Sequence, residues 1–481
     1  MTGLDRPRSS VLPFADPAGA RSPRQLAENA DVLHSWRLAV QQALGARHLV
    51  SVTHELVEIQ GFSLRDAEAL GVPVDLLECF PEWRRGSRTP FRPIRSGLRL
   101  APAGAGVPLG ALRLQLSPAS LTIPYGLLLL RALLTRLDPD TRFDVVVEPG
   151  ADIDAMTRLA VRLHPSAADR VRFVAMRSVT VFAQDNARAV RDADGRPALL
   201  VPRQFRSSGP RAGDELEAPV AERALGVPVR RSRLHWEGGN VLHDSERCFV
   251  GVDTLAENQA RLGLANEETI GILEAEFGMP VAPLGRADQA RFDPVDDRQS
   301  VSGQASFHID LDVSLLGRVG RARRPRALVA DAARGLDFAH DVLRVRRLVR
   351  GHFLGEAEIR RHIRAEYEAH AQARHPVLLE YASALAAHGY RVIGMPDLRV
   401  DPKMDVYSRV NLDFGFCNVL PGLRAGRPSV HYFVSGVRAL DQDAAGRMRL
   451  AGVDPVPVST SAVGSALMLL QGGLHCCCGP L

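Results

Sequence analysis

Residues 143–176 read FDVVVEPGADIDAMTRLAVRLHPSAADRVRFVAM. An apolar run, FDVVVEP at 143–149, precedes ADIDAMTRLAVRLH at 151–164, whose apolar residues recur at helical spacing. A second apolar run, VRFVAM at 171–176, follows. The order strand, helix, strand marks an α/β domain, while leaving open whether the strands run parallel.

The alternation continues through the rest of the chain. PALLVPRQF (197–205), CFVGVDT (248–254), PVAPLG (280–285) and ASFHIDLDVSLLG (305–317) read as strands, and ENQARLGLANEETIGILEAEFG (257–278) reads as helical. VLLEYASALAAHG (377–389) reads as a helix and RVIGMPDL (391–398) as the strand after it. VNLDFGFCNVLPG (410–422), SVHYFVSG (429–436) and PVPVSTS (455–461) read as strands, with the helix ALDQDAAGRMRLAG (439–452) between the last two. A final helix, AVGSALMLLQ (462–471), stops at Gly472-Gly473, which suits a left-handed helix end and puts Cys476 on a turn. No strict sequence repeat is visible, so any internal symmetry is structural.

Upstream, RGSRTPFRPIRSGLRLAPAGAGVPLG (85–110) is a Pro/Gly/Arg stretch without a sustained period and marks a domain boundary, placed near residue 105. Residues 1–105 are expected to form a mainly helical N-terminal region, with helical patterning across 23–82 and a serine cap followed by proline in SPRQLAEN (22–29). Residues 106–481 form the second, α/β domain.

At 481 residues, 46% hydrophobic and 24% charged, the composition is globular, with room for one large core or two to three domains. Lys403 is the only lysine, so 60 − 1 = 59 of the basic residues are arginine. Schiff-base chemistry and a phosphate-cradling P-loop would both have to use Lys403, and no glycine-rich loop precedes it. The net charge of +5 is too small to imply nucleic acid unless the arginines cluster. RVGRARRPR (318–326) is the one cluster; its five arginines have no interleaved aromatics and read as a solvated loop or helix end. With no run of ~18 apolar residues and no signal-like apolar region in the first residues, a cytoplasmic protein without membrane or nucleic-acid partners is expected.

Six cysteines stand at 79, 248, 417, 476, 477 and 478, a distribution unlike a disulfide scaffold and suited to reduced thiols. The terminal Cys478-Gly479-Pro480-Leu481 departs from a prenylation box, because Gly-Pro replaces the aliphatic pair.

Four short pieces carry candidate chemistry: FAQDN (182–186), HWEGGN (235–240), FHID (307–310) and GGLHC (472–476). Singly, each has a bland reading. Asp185 fits a turn aspartate, and Glu237 the last residue of a strand before a glycine turn. His308 and Asp310, spaced i, i+2, would face one side of a strand, where the carboxylate simply satisfies the histidine. Cys476 could be a core thiol, although flanking glycines near a chain end argue against deep burial.

Taken in order, the four pieces resemble the guanidino-group-modifying hydrolases of the pentein superfamily, which include arginine, agmatine and protein-arginine deiminases. Asp185, Glu237, His308, Asp310 and Cys476 match the five positions of that catalytic set, with gaps of 237 − 185 = 52, 308 − 237 = 71 and 476 − 308 = 168 residues. The resemblance spans residues 106–481. It implies a pentein-type α/β propeller of repeated ββαβ units with pseudo-fivefold symmetry, preceded by the small helical region.

The resemblance also implies roles. Asp185 and Asp310 clamp the planar, always charged guanidinium through paired N–H bonds, and Glu237 binds substrate or orients His308. Cys476 attacks the guanidinium carbon as a thiolate, and His308 protonates the departing ammonia, then activates water against the covalent thiouronium. Glu237-Gly238-Gly239 favours hydrolysis over amidino transfer, which stays an alternative. His475 before the nucleophile resembles agmatine and protein deiminases, and Gly238-Gly239-Asn240, with Asn240 a substrate-binding candidate, resembles agmatine and bacterial peptidyl deiminases. Gln184-Asp185 and the long interval from His308 to Cys476 resemble protein-arginine deiminases. The implied partner is therefore a guanidino substrate, peptidyl or protein arginine first, with agmatine, arginine or a derivative as the alternative. Arg188, Arg191 and Arg409 are candidates for contacts to the substrate's carboxylate. No metal or organic cofactor is expected: no EF-hand loop occurs, and DPVDD (293–297) is too short a signal. Two readings outside enzymology are a pentein fold used only for binding, and tethering through acylation of Cys476, Cys477 and Cys478.

Overall fold

The computed structural model describes residues 50–52, 57–59, 97–116, 123–147, 150–176, 182–203, 218–292, 303–345, 356–400, 412–459 and 473–481. Strands β1 (Val50–Val52) and β2 (Val57–Ile59) form an antiparallel pair, and the helical patterning expected elsewhere in 23–82 lies outside the described residues.

From β3 (Arg99–Leu100) onward one motif recurs. After β4 (Ala111–Leu116), α1 (Ile123–Arg136) leads to β5 (Arg142–Val147), then α2 (Ile153–Leu163) and α3 (Ala167–Arg170) lead to β6 (Val171–Ala175); these three strands are parallel. The hairpin β7 (Arg188–Arg191) and β8 (Pro197–Val201) passes through α4 (Ala218–Leu225) to β9 (Val229–Arg231), parallel to β8, while β3 pairs with β7. The hairpin β10 (Val241–His243) and β11 (Cys248–Gly251) passes through α5 (Val252–Leu262) and α6 (Asn266–Phe277) to β12 (Val281–Leu284), parallel to β11.

The hairpin β13 (Val313–Gly317) and β14 (Arg326–Asp331) passes through α7 (Ala332–Leu336), α8 (Ala339–Val345) and the long α9 (Glu356–Ala387) to β15 (Arg391–Leu398), with β16 (Phe414–Gly415) at its side. The hairpin β17 (Leu420–Arg424) and β18 (Arg427–Phe433) passes through α10 (Arg438–Leu450) to β19 (Asp454–Ser459). The helical turn α11 (Leu474–Cys477) then delivers β20 (Gly479–Pro480) antiparallel to β4, which gives that sheet the same hairpin-plus-parallel pattern. The α/β class expected from the sequence holds. Among the described residues, the sheets from β3 onward are five small mixed ones, each combining an antiparallel with a parallel pairing.

Local chemistry explains most boundaries. Asp152 caps α2 by accepting the Ala155 N–H at 2.8 Å. The single helix expected over 257–278 is two, because Gly263 takes a left-handed conformation (φ 69°) that ends α5. That helix also begins at Val252, inside the stretch read as a strand. The strand expected over 305–317 starts only at Val313; Ile309–Leu311 form a 3-10 turn closed by Asp312 N–H to Ile309 O at 3.1 Å. The strand expected over 410–422 is interrupted at Cys417–Val419, where the Val419 N–H bonds back to Cys417 O at 2.8 Å. The Arg318–Arg326 cluster lies on the turn of the β13–β14 hairpin and is largely exposed, as the solvated-loop reading expects.

The largest core packs α9 against β13, β14 and β15, with Tyr367, Tyr381 and Leu385 fully buried. A second core joins α1, β4 and β5 to Leu474, Cys476, Cys477 and Cys478. Burying that apolar turn draws the cysteines into the interior. Among the described residues, no helix is long and apolar enough to cross a membrane.

Candidate active site

Each of the five sheets presents a polar residue two to four positions ahead of one strand: Asp185 before β7, Glu237 before β10, Asp310 before β13, Asn418 before β17 and Cys476 before β20. All are buried, and so is His308. The structure thus brings Asp185, Glu237, His308, Asp310 and Cys476 together. Cys476 at 2% exposure contradicts the expectation of a shallow thiol, because the turn that carries it packs into the second core.

His308 Nε2 is hydrogen-bonded to Glu237 Oε2, and its Nδ1 stands 3.9 Å from Asp185 Oδ1. The His308 and Asp310 side chains converge through a loop and a 3-10 turn, not through the alternation of a strand as the spacing suggested. Gly238 and Gly239 permit the approach. A Cβ on Gly239 would overlap the His308 ring, and one on Gly238 would overlap the Gln184 carbonyl. The paired glycines are therefore a packing requirement of the histidine, not merely a turn signal.

Cys476 is held by two partners at its thiol and by two bonds at its backbone. Cys476 Sγ lies 3.4 Å from Asp310 Oδ2, and Asn418 Nδ2 donates to Sγ at 3.0 Å. Asn418 Oδ1 accepts the Cys476 N–H at 3.1 Å, and Cys476 O accepts the Gln184 N–H at 3.0 Å. His475 Nδ1 donates to the same Asp310 Oδ2 at 2.8 Å. Asp310 Oδ1 and His308 Nδ1 make no hydrogen bond among the described residues. Buried polar atoms without partners are uncommon, and here they face one group of catalytic-type side chains.

Sequence reasoning missed Asn418. Its signal is positional: it precedes β17 as the matched residues precede their own strands, which only the sheet pairing reveals. Asn240, expected at the substrate, instead has both ends of its amide engaged around the histidine loop. Nδ2 donates to Phe307 O at 3.1 Å, and Oδ1 accepts the Ile309 N–H at 3.2 Å and Gln304 Nε2 at 3.1 Å. Arg188 is buried and donates to Gly238 O and Val241 O, so it holds the Glu237 loop. Arg191 bonds Gly195 O at 2.9 Å on the surface. Arg409 and the 293–297 acidic turn lie outside the described residues.

Electrostatics follow from this packing. Burial disfavours charge on His308, but Asp185, Glu237 and Asp310 outweigh it and hold the imidazole above its ordinary pKa. Burial likewise opposes the Asp310 carboxylate, yet His475, His308 and Arg188 keep it below the usual range. Burial, then Asp310 and Asp185, push the Cys476 thiol well up, so the resting site favours a protonated thiol beside carboxylates and a histidine biased toward its charged form. A cavity of about 540 Å³ adjoins the site through Gln184, Arg188 and His475.

Among solved structures, the chain aligns with a provisionally assigned peptidyl-arginine deiminase at a TM-score of 0.50 and 12% identity, over 80% of this chain and 98% of that one. The fold is the pentein fold. Two further pentein structures align less closely. The agmatine deiminase of Enterococcus faecalis gives a TM-score of 0.47 and 14% identity over 80% of this chain and 96% of that one. DDAH from Pseudomonas aeruginosa, solved with citrulline, gives 0.35 and 12% over 78% and 100%. No family model and no curated protein matches the sequence.

Proposed function

We propose that the chain is a cysteine-dependent deiminase that hydrolyses a guanidino group to a ureido group and ammonia, with peptidyl or protein arginine as the first substrate class and citrulline as the product residue. One observation carries this reading. Asp310 Oδ1 is a buried acceptor without a hydrogen-bond partner among the described residues, beside a thiol 3.4 Å from Asp310 Oδ2. A planar cation with several N–H donors suits that environment. The five small sheets are read as the blades of a pentein propeller and residues 106–481 as its catalytic domain, joined by Arg99–Leu100 through β7.

The guanidinium lies between Asp185 and Asp310, and its charge offsets the carboxylates that keep Cys476 protonated, so the thiol gives its proton to solvent and the thiolate forms with substrate bound. Sulfur bonds to the guanidinium carbon. His308, held protonated by Asp185 and Glu237, gives its proton to the terminal nitrogen, the C–N bond breaks and ammonia leaves. Neutral His308 then takes a proton from water as the oxygen attacks the thiouronium carbon. The C–S bond breaks, the proton of the new hydroxyl passes to sulfur, and the neutral ureido group and the thiol result. The net change is one water consumed and one ammonium released per cation converted.

Agmatine or another small guanidino compound is the second reading, supported by Gly238-Gly239-Asn240. One ureido assay on peptidyl-arginine, agmatine, free arginine and methylated arginines, with ammonia measured in parallel, decides between them. Ureido product and ammonia in equal amounts are expected, highest on peptidyl-arginine and absent in Cys476→Ala. Amidino transfer to an added amine without ammonia would overturn the hydrolytic reading, and undiminished Cys476→Ala activity would overturn the nucleophile.

A further inference from the structure

We infer that Arg374, together with Tyr381 on the same face of α9, is a positioning residue that sets where His308 and Asp310 stand. The inference rests on the deiminase reading for its kinetic consequence, but its geometry is independent of it. Arg374 and Tyr381 are seven residues apart on one helix, so they share a face. They grip both backbone polar groups of one residue: Tyr381 Oη accepts the Ala305 N–H at 3.1 Å, and Arg374 Nε donates to Ala305 O at 3.0 Å. Ala305 lies three residues before His308.

The far end of the loop is gripped by the same group. Arg374 bonds Asp312, two residues past Asp310, and also Asp397 on β15. Ser306 Oγ donates to Asp312 Oδ1 at 2.9 Å. Arg399 bonds Asp397 Oδ1 at 3.0 Å and donates to Leu311 O at 3.1 Å. Two arginines and two aspartates, all nearly removed from solvent, thus balance each other's charge while fixing Ala305, Ser306, Leu311 and Asp312. Burying four charges is costly unless the geometry satisfies each one, so such a network persists where it specifies a position.

Two other site loops are held in the same way. Asn258 on α5 accepts the His235 N–H at 2.9 Å and donates to His235 O at 2.7 Å, two residues before Glu237. Arg113 on β4 donates to Ala183 O, two residues before Asp185, and to Asn186 Oδ1 at 2.7 Å. In each case a buried polar side chain from a neighbouring element fixes the backbone just upstream of a reacting side chain. The histidine loop is fixed at both ends by a single side chain, Arg374, which bonds Ala305 O and Asp312.

The test uses the full-length protein with histidine-selective isotope labelling, in the variants Arg374→Lys and Tyr381→Phe. Lysine keeps the charge but lacks the planar fork, and phenylalanine removes only the hydroxyl, so the second variant reports even where the first does not fold. His308 is faced by Glu237, Asp185 and Asp310. Loosening the loop is expected to move its NMR titration midpoint to lower pH by ~0.5 unit or more, and to lower kcat/KM by roughly 10- to 100-fold. A folded variant whose His308 titration and kcat/KM match the wild type would overturn the inference. So would a variant whose turnover falls only as its folded fraction falls, with the titration unmoved. Absence of turnover on every guanidino compound in the wild-type protein would instead remove the deiminase reading, while the His308 titration still decides the positioning role.

Discussion

Asn418 and Cys476 are joined twice: the asparagine carbonyl accepts the cysteine N–H at 3.1 Å, and its amide donates to the sulfur at 3.0 Å. One side chain therefore fixes both the backbone and the thiol. A donor aimed at sulfur favours the thiolate, which counters the burial and the carboxylates that raise this thiol's pKa. Asn418→Ala is expected to slow ureido formation by on the order of tenfold or more and to slow alkylation of Cys476 at a given pH. Rates of both reactions measured against pH, with Asn418→Asp as a second variant, check this; unchanged alkylation in both would refute it.

Gly239 tests packing rather than charge. A methyl group there would overlap the His308 ring and force it away from Glu237. Gly239→Ala should fold, because the residue is not in a left-handed conformation, yet lose roughly 100-fold in kcat. Circular dichroism and initial rates measured together separate folding from catalysis.

Stability should depend on pH in two opposite windows. His308 is held above its ordinary value, so its contribution is complete below about pH 6.5 and disappears as pH rises through the raised value. Asp310 is held below its ordinary value, so its contribution is present above about pH 3.9 and is lost as pH falls through the lowered value. Urea denaturation of His308→Asn should narrow its gap to wild type on the alkaline side, and Asp310→Asn on the acid side. The opposite pattern would contradict the charge assignments.

The 59 arginines make the protein a substrate candidate for itself if it accepts protein arginine. Side chains such as those of Arg196 and Arg427, 75% and 74% exposed, should convert before buried Arg113 and Arg374. Intact-mass and peptide mass spectrometry should show gains of about one dalton per event, the exchange of nitrogen for oxygen, and none in Cys476→Ala. Active enzyme without such gains points to a small guanidino substrate.

Acylation of Cys476, Cys477 and Cys478 would require their turn to open, since all three side chains are buried in the core formed with α1 and β5. A free tail would have left them accessible. The difference arises because the chain returns to pair β20 with β4, a contact between residues more than 350 positions apart.

The sequence by itself determined the α/β class and most of the strands, as RVIGMPDL over 391–398 illustrates, because apolar periodicity is a local property. It also singled out Asp185, Glu237, His308, Asp310 and Cys476, because their order along the chain resembles a known catalytic set although each has a bland reading alone. Tertiary structure alone decided the rest. Asn418 looks like any asparagine in a turn until β17 is seen to carry it to the same place as the residues ahead of the other sheets. Asn240 and Arg188 read from the sequence as candidate substrate contacts and Arg374 carries no motif, yet all three satisfy backbone groups of loops up to 69 residues away. Hydrogen bonds of that kind depend on which elements meet in space, and the spacing of residues along the chain does not encode it.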